Sequence, residues 1–436
     1  MRRFSCDVRR KRITQHENIF VLRTLNVARR TLNGLYRKVN MNSQQWIEKA
    51  DKYIMKTYGR YPVVPVRGEG CYLWDADGKR YLDFLAGVAV NNLGHCHPRV
   101  VVALQKQAAE LIHCSNYYHI PSQIELAELL CTHSFADRAF FCNSGAEANE
   151  AAIKLARKYS REKFGPDRFE IITALASFHG RTMATVSATG QEKVQKFFDP
   201  LLHGFRHVPF NNAELLRGAI SANTCAVMLE PIQGEGGIVV PSPDYFRIVR
   251  ELCNEHNLLL IFDEVQVGMG RTGKLFAHEH FNVTPDIMTL AKALAGGAPI
   301  GCMLAKEEIA ASFGPGTHGS TFGGNPLVTA AGVAVVKAIL DEGVLKHTEE
   351  MGNYLLGKLK LLQEQFSFIT EIRGIGLMIG MELSIPAGEI VAKALKQGLL
   401  LNVAQETVLR FLPPLVVTPA EIDEMLDILE GILAEV

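Results

Sequence analysis

Between residue 98 and about residue 330 the sequence switches repeatedly between two hydrophobic periods, and this alternation narrows the possible folds more than any other feature. "PRVVVALQKQAAELIH" gathers apolar side chains on one face of a helix, "RAFFCNS" is a short apolar run, and "GAEANEAAIKLARKYSREKF" is a helix rich in Ala, Glu and Lys. "FEIITALASF", "CAVMLEPI", "LLLIFDE", "PDIMTLAKAL" and "IGCMLAK" follow as short apolar strands, separated by the helix "PDYFRIVRELCNEHN" or by Gly-rich loops. Continuous apolar runs of strand length belong to strands covered on both faces, so the expectation is an α/β fold whose mostly parallel sheet lies between helices. Functional groups on such a sheet gather at the carboxyl ends of its strands.

The flanks read differently. "VRGEGCYLWDADGKRYLDF" alternates apolar and polar residues around Asp77-Gly78, which predicts a hairpin. "TAAGVAVVKAILDEGVLKHTEEMGNYLLGKLKLLQEQ" is helical, "IRGIGLMIGMEL" and "VLRFLPPL" are strands, and an amphipathic helix starts at Pro419. The expected organisation is a basic extension over 1–40, a hairpin-bearing segment over 41–96, a large domain over 97–331, and a C-terminal part over 332–436. The second and fourth pieces would combine into a smaller α+β domain built from both chain ends.

Charge and cysteine usage exclude several functions. Lys plus Arg and Asp plus Glu number 46 each, but residues 1–40 hold 11 of the basic residues and 2 of the acidic ones, which leaves a mildly acidic body. Such a body has no electrostatic footprint for nucleic acid. The Arg-rich start resembles a mitochondrial or plastid presequence; the preferred expectation is a dispensable extension with Met41 as the working start, and a cytoplasmic protein. Apolar runs are strand-sized, too short to cross a membrane. The nine cysteines form no C-x-x-C pair, and "GHCHP" lacks further ligands at a metal-binding spacing, so neither a disulfide framework nor a metal site is expected.

One stretch imitates a nucleotide loop. "VQVGMGRTGKL" fits both G-x-x-x-x-G-K and G-x-G-x-x-G between Gly268 and Lys274, yet Leu275 stands where a magnesium-binding hydroxyl is needed, and an Asp-Glu pair separates the motif from its strand. That pair needs its own explanation. Asp263 ends a strand too apolar to hold an unpartnered carboxylate. Lys292 follows another apolar strand and precedes Gly296-Gly297, which puts its amine at the carboxyl edge of the sheet, where a lysine of lowered pKa can form a Schiff base. Ser144 and Glu147 have the form of a capping box that starts a helix behind a buried strand, and the small residues Gly145 and Ala146 would let a phosphate approach its amides. A phosphate-binding helix start, a strand-end Asp and a strand-end Lys together describe pyridoxal phosphate, whose pyridine nitrogen an Asp keeps protonated.

With "GHCHP", "NSGAEANE", "SFHGRT", "LEPIQGEGG", "FDEVQVGMGRTGK", "LAKALAGG", "HGSTFGGNP" and "RFLPPL" in order, the chain from about residue 45 onward resembles the class-III aminotransferases of the fold-type-I pyridoxal-phosphate family. The resemblance implies that Lys292 carries the Schiff base and moves the substrate proton, and that Asp263 binds the pyridine nitrogen. Gln266 would reach the phenolic oxygen, Gly145 and Ala146 the phosphate, and Phe178 would stack on the ring, with Glu264 and Val265 beside it. Thr321 would reach the phosphate of the neighbouring subunit, so that a homodimer completes each site. Arg181 with Ser320 would take a substrate carboxylate, and Tyr61 would contact the substrate. Arg410 would pair with Glu235 and exchange that partner for the α-carboxylate of glutamate.

Where ornithine-specific relatives carry a Tyr, this chain has Val88, which suits a donor whose α-nitrogen is acylated. The expected reaction converts N2-acetyl-L-ornithine and 2-oxoglutarate into N-acetyl-L-glutamate 5-semialdehyde and L-glutamate, a step towards arginine. N-succinyl-diaminopimelate, succinylornithine, ornithine or 4-aminobutyrate as donor, or an aminomutase of the glutamate-1-semialdehyde type, are the alternatives.

Overall fold

The computed structural model describes residues 41–436, so the extension expected over 1–40 lies outside the described residues. These form two compact units, 41–66 with 74–79 and 67–73 with 80–436. In the smaller unit, α1 (Ser43–Tyr53) starts at Asn42, whose side chain accepts the Gln45 N–H while the Gln45 side chain accepts the Asn42 N–H, a complete capping box. The Asp-Gly turn is present. Asp75 Oδ1 accepts the Asp77 and Lys79 N–H groups at 3.0 and 2.8 Å, and Gly78 takes the positive φ of 85° that the turn requires. Strands β1 (Pro65–Glu69) and β2 (Tyr72–Asp75) precede the turn and β3 (Arg80–Asp83) follows it.

The larger unit is built on seven strands: β4 (Arg138–Cys142), β5 (Glu170–Ala174), β6 (Phe205–Val208), β7 (Thr224–Leu229), β8 (Leu259–Asp263), β9 (Ile287–Leu290) and β10 (Gly301–Ala305). Their order is β4-β10-β9-β8-β7-β5-β6, and only β10 runs against its neighbours. This is the mostly parallel α/β sheet that the alternation predicts. Helices α2 (Pro98–Glu110) and α3 (Pro121–Thr132) precede these strands, α4 (Gly145–Phe164) lies between β4 and β5, and α5 (Tyr245–Glu255) between β7 and β8. Side chains alternate across β7 and β8. Ala226, Met228 and Ile261 pack with Ala151, Ala152 and Leu155 of α4, whereas Val227, Leu229, Leu260 and Phe262 pack with Phe246, Val249 and Leu252 of α5. Each large side chain so enclosed contributes roughly 1.5–3 kcal/mol, which is why both faces of these strands read as apolar. Strand β6, "FRHV", lacks that signature and sits at the edge of the sheet.

Further along, the helical stretch breaks at Gly343, φ 70°, into α6 (Pro326–Asp341) and α7 (Val344–Gln365). A second sheet, antiparallel and ordered β11-β12-β15-β14, uses β11 (Ile369–Ile375), β12 (Met378–Leu383), β14 (Asn402–Ala404) and β15 (Val408–Phe411). Between β12 and β14, β13 (Leu399–Leu400) pairs in parallel with β3 and so joins sequence-distant residues of one unit. Helix α8 (Pro419–Leu433) opens with a Thr418–Glu421 capping box. No described helix is long and apolar enough to cross a membrane.

One segment departs from ordinary backbone. Ala86, Gly87, Val88 and Ala89 all have φ between 49° and 65°, a left-handed turn that costs roughly 1–2 kcal/mol for each non-Gly residue. Asp83 holds its entrance: Oδ1 accepts the Leu85 and Ala86 N–H groups, each at 2.9 Å, and Oδ2 lies 2.7 Å from His95 Nε2. The first His of "GHCHP" thus anchors a carboxylate.

Candidate active site

The carboxyl ends of β4, β7, β8 and β9 converge on a cavity of about 410 Å³ bordered by Gly145, Glu230, Asp263 and Lys292. Strand-end convergence is how a parallel sheet brings distant residues together. Asp263 is the last residue of β8 and 3% exposed. Its Oδ2 accepts from Asn149 Nδ2 at 2.8 Å and lies 2.7 Å from His179 Nδ1, and its Oδ1 accepts the Val265 N–H. Asn149 is fixed in turn by donating to the His179 carbonyl and accepting from Thr289 on β9. Burial pulls the His179 ring down in pKa, but the Asp263 hydrogen bond and charge outweigh it, and the net direction is up. The apolar strand therefore keeps its carboxylate by surrounding it with donors.

Lys292 follows β9 after Ala291 and takes φ 42°, a backbone conformation that a non-Gly residue keeps only where its surroundings dictate it. Burial lowers its amine to about 8, against the opposing pull of the Glu235 charge and with help from Arg410. An amine so poised is partly neutral near physiological pH and competent as a nucleophile.

Helix α4 starts at the cavity. Ser144 accepts the Glu147 N–H at 3.2 Å, as its cap position predicts, but the Glu147 carboxylate reaches Asn143 N at 2.6 Å and Asn143 Nδ2 at 2.8 Å, one residue earlier than a capping box requires. The first-turn amides at Gly145 and Ala146 have no partner within the helix and face an anion favourably. Gly145 is needed for a second reason, because a Cβ there would stand 2.7 Å from Val265 Cγ1.

Glu235 borders the cavity and pairs with Arg410, which is 2% exposed; Arg410 donates through one guanidinium nitrogen to Glu235 Oε1 at 2.5 Å and through Nε to Asn402. Burial would raise the Glu235 carboxyl, but Arg410 and then Lys292 reverse it and hold it below the usual range. Arg181 is exposed at the mouth, its guanidinium 5.6 Å from the Phe178 ring centroid. Gln266 also borders the cavity, with its Oε1 buried and without a partner.

Not every expected residue arrives here. Glu264 points away, as strand alternation after Asp263 dictates, and its oxygens accept the Ala277 and His278 N–H groups instead, which corrects its expected place at the cofactor. Ser320 and Thr321 lie outside the cavity lining; Ser320 is one hydrogen bond away, through Asn143, and Thr321 is exposed beside Phe322. Tyr61 belongs to the smaller unit, where it is 45% exposed. Val88 packs against the apolar cluster that includes Ile232, Ile238 and Val267, and it is Val90 that borders the cavity. The Gly-rich imitation of a nucleotide loop is a packing element whose Arg271 is wholly buried.

Sequence reasoning passed over His179, Asn149, Thr289 and Glu230. His179 and Glu230 sat inside quoted motifs, and a polar residue directly after an apolar strand was the available signal for Glu230. Nothing in the helical pattern marked Asn149.

Comparison with known proteins follows the same outline. Residues 53–433 match the class-III aminotransferase family. The chain is 56% identical over 386 residues to the acetylornithine aminotransferase of Caldanaerobacter subterraneus subsp. tengcongensis, covering 88% of this chain and 98% of that one. It is 53% identical over 398 residues to that of Methanocaldococcus jannaschii, covering 91% and 100%. Among solved structures it is similar to the ornithine aminotransferase of Toxoplasma gondii, with TM-score 0.88, 35% identity, and 93% and 97% coverage. The acetylornithine aminotransferase of Elizabethkingia anophelis gives TM-score 0.81, 35% identity, and 91% and 100% coverage.

Proposed function

The chain belongs to the class-III aminotransferases, and from that premise we propose that it is a homodimeric acetylornithine aminotransferase of the cytoplasm. It moves the amino group of N2-acetyl-L-ornithine to 2-oxoglutarate and yields N-acetyl-L-glutamate 5-semialdehyde and L-glutamate, a step of arginine biosynthesis. The observation that carries the reading is the Arg410–Glu235 pair beside the amine of Lys292.

The residues fit pyridoxal phosphate. Gln266 keeps a buried oxygen unpartnered at the cavity, Gly145 keeps the helix start open, and Asp263 offers a carboxylate already ordered by His179 and Asn149. Bound there, the cofactor supplies an electron sink that stores the amino group between half-reactions. Asp263 would hold a proton on the pyridine nitrogen, the α4 amides would take the phosphate, Phe178 would face the ring, and Gln266 and Val265 would border it. Lys292 Nζ would be the group that holds the cofactor and that moves a proton at the substrate carbon.

Two substrates must use one site. Arg410 binds Glu235 while the donor is present, since the reacting end of the donor brings no carboxylate; 2-oxoglutarate then displaces Glu235 with its own. Arg181, with Ser320 nearby, takes the donor's distant carboxylate, and Tyr61 contacts the donor. Thr321 completes the partner's phosphate site. The strongly exposed Tyr117 and Phe322, 94% and 61%, give the dimer an apolar contact surface.

The test is a single-turnover spectrum of the holoenzyme with N2-acetylornithine, ornithine, 4-aminobutyrate and N-succinyl-diaminopimelate in separate mixtures. N2-acetylornithine should shift the cofactor band fastest, with 2-oxoglutarate restoring it. A faster reaction with free ornithine would overturn the donor assignment, and recovery without 2-oxoglutarate would point to an aminomutase.

A further inference from the structure

Three carboxylates border the cavity, and two of them have cationic or imidazole partners: His179 for Asp263 and Arg410 for Glu235. Glu230 has none among the described residues. It directly follows β7, is 7% exposed, and burial pushes its carboxyl up to about 7. Its two oxygens serve two different segments. Oε2 accepts the Phe178 N–H at 3.1 Å, and Oε1 accepts the Gly234 N–H at 3.2 Å.

Each of those segments carries a recognition group: Phe178 and Arg181 on one, Glu235 on the other. Gln233 Nε2 donates to the Leu175 carbonyl at 2.9 Å and ties the same segments further along. Gly234 has no slack on its other side, because a Cβ there would stand 1.8 Å from Gln266 Oε1. The backbone that presents Glu235 to Arg410 is thus fixed between Gln266 and the Glu230 carboxylate.

Building on the function proposed above, we infer that Glu230 is a positioning residue for the donor half-reaction: its carboxylate, anchored at the Phe178 amide and holding the Gly234 N–H, sets the reach of Glu235 to Arg410. An amide at this position keeps one good acceptor and cannot bridge both N–H groups, so the Gly234 backbone loses its fixed tie to the Phe178 segment. Once residue 235 is loosened, Arg410 is left without its carboxylate while the donor is bound. An acceptor that brings its own carboxylate does not need Glu235. The loss should therefore fall on one half-reaction.

The experiment compares wild-type holoenzyme with Glu230→Gln and Glu230→Asp. Single-turnover rates are measured for N2-acetylornithine on the cofactor-loaded form and for 2-oxoglutarate on the aminated form, with thermal unfolding alongside. The donor kcat/KM should fall about tenfold, equivalent to about 1.4 kcal/mol, while the acceptor value stays within about threefold. The aspartate variant, shorter by one methylene, cannot span both amides and should show the same imbalance if the amide variant fails to fold. Parallel loss in both half-reactions, or loss in neither, overturns the inference. If wild type instead prefers another donor, the donor assignment fails by itself, and the variants are judged by the same ratio with that donor.

Discussion

The Glu235 and Arg410 charges act on Lys292 in opposite directions, which makes the pH at which its amine becomes reactive a direct reading of the cavity. Unperturbed lysine titrates near 10.4, so at pH 7.5 about one amine in a thousand is neutral; at a pKa of about 8, about a quarter are. The displacement of roughly 2.4 units corresponds to about 3 kcal/mol of differential interaction between charged and neutral forms. The assay is covalent uptake of pyridoxal phosphate by the apoprotein, followed by absorbance as a function of pH. The rate should rise with a midpoint near 8 and level off above it. Glu235 opposes the lowering and Arg410 assists it, so Glu235→Gln should move the midpoint down and Arg410→Met should move it up. Stability carries the same signature. A folded pKa below the unfolded one means that unfolding takes up a proton between pH 8 and 10.4, so this residue's contribution to apoprotein stability is lowest below pH 8 and recovers by up to about 3 kcal/mol across that window. The recovery is read as the difference between wild type and Lys292→Met. A wild-type midpoint near 10, or both cavity variants moving the same way, would refute the electrostatic reasoning.

Gly145→Ala should reduce cofactor affinity roughly 5- to 150-fold, since its Cβ meets Val265 at 2.7 Å and overpacking of about 1–3 kcal/mol drives that side chain towards the cavity; fluorescence titration of the apoprotein reads this, and unchanged affinity would contradict it. Gly87→Val should destabilise the protein by about 1–2 kcal/mol and Gly87→Asn by clearly less, because φ 65° suits Asn better than a β-branched residue. Chemical denaturation of the two variants checks the order.

The sheet was legible because both faces of β7 to β9 are buried and leave an unbroken apolar run; β6 was not, because an edge strand with Arg206 and His207 carries no such run. Asp263 and Lys292 stood out because an ionisable group after an apolar strand needs a reason. Asn149 and Thr289 did not, since a polar residue inside a helix or strand looks the same in sequence whether it faces solvent or a buried carboxylate. Glu264 shows the opposite error: adjacency to Asp263 suggested a shared role, and alternation along the chain sends neighbouring side chains to opposite sides. The surroundings of Val88 were hidden for a related reason, since no local pattern announces four consecutive left-handed residues.

Arg271 bears on the order in which the chain assembles. Its guanidinium is wholly buried, with burial pulling it down to about 9, and it is held by neutral oxygens only: Asn92 Oδ1, the Leu377 carbonyl and the Pro413 carbonyl. Those partners lie 179, 106 and 142 residues away along the chain. Until all three have docked, the guanidinium is better off in water, and a half-closed intermediate would strip it of solvent while leaving donors unmet. Early collapse is thereby penalised. Pro413 must be synthesised and docked before this corner can close, which ties the burial of Arg271 to residues far along the chain.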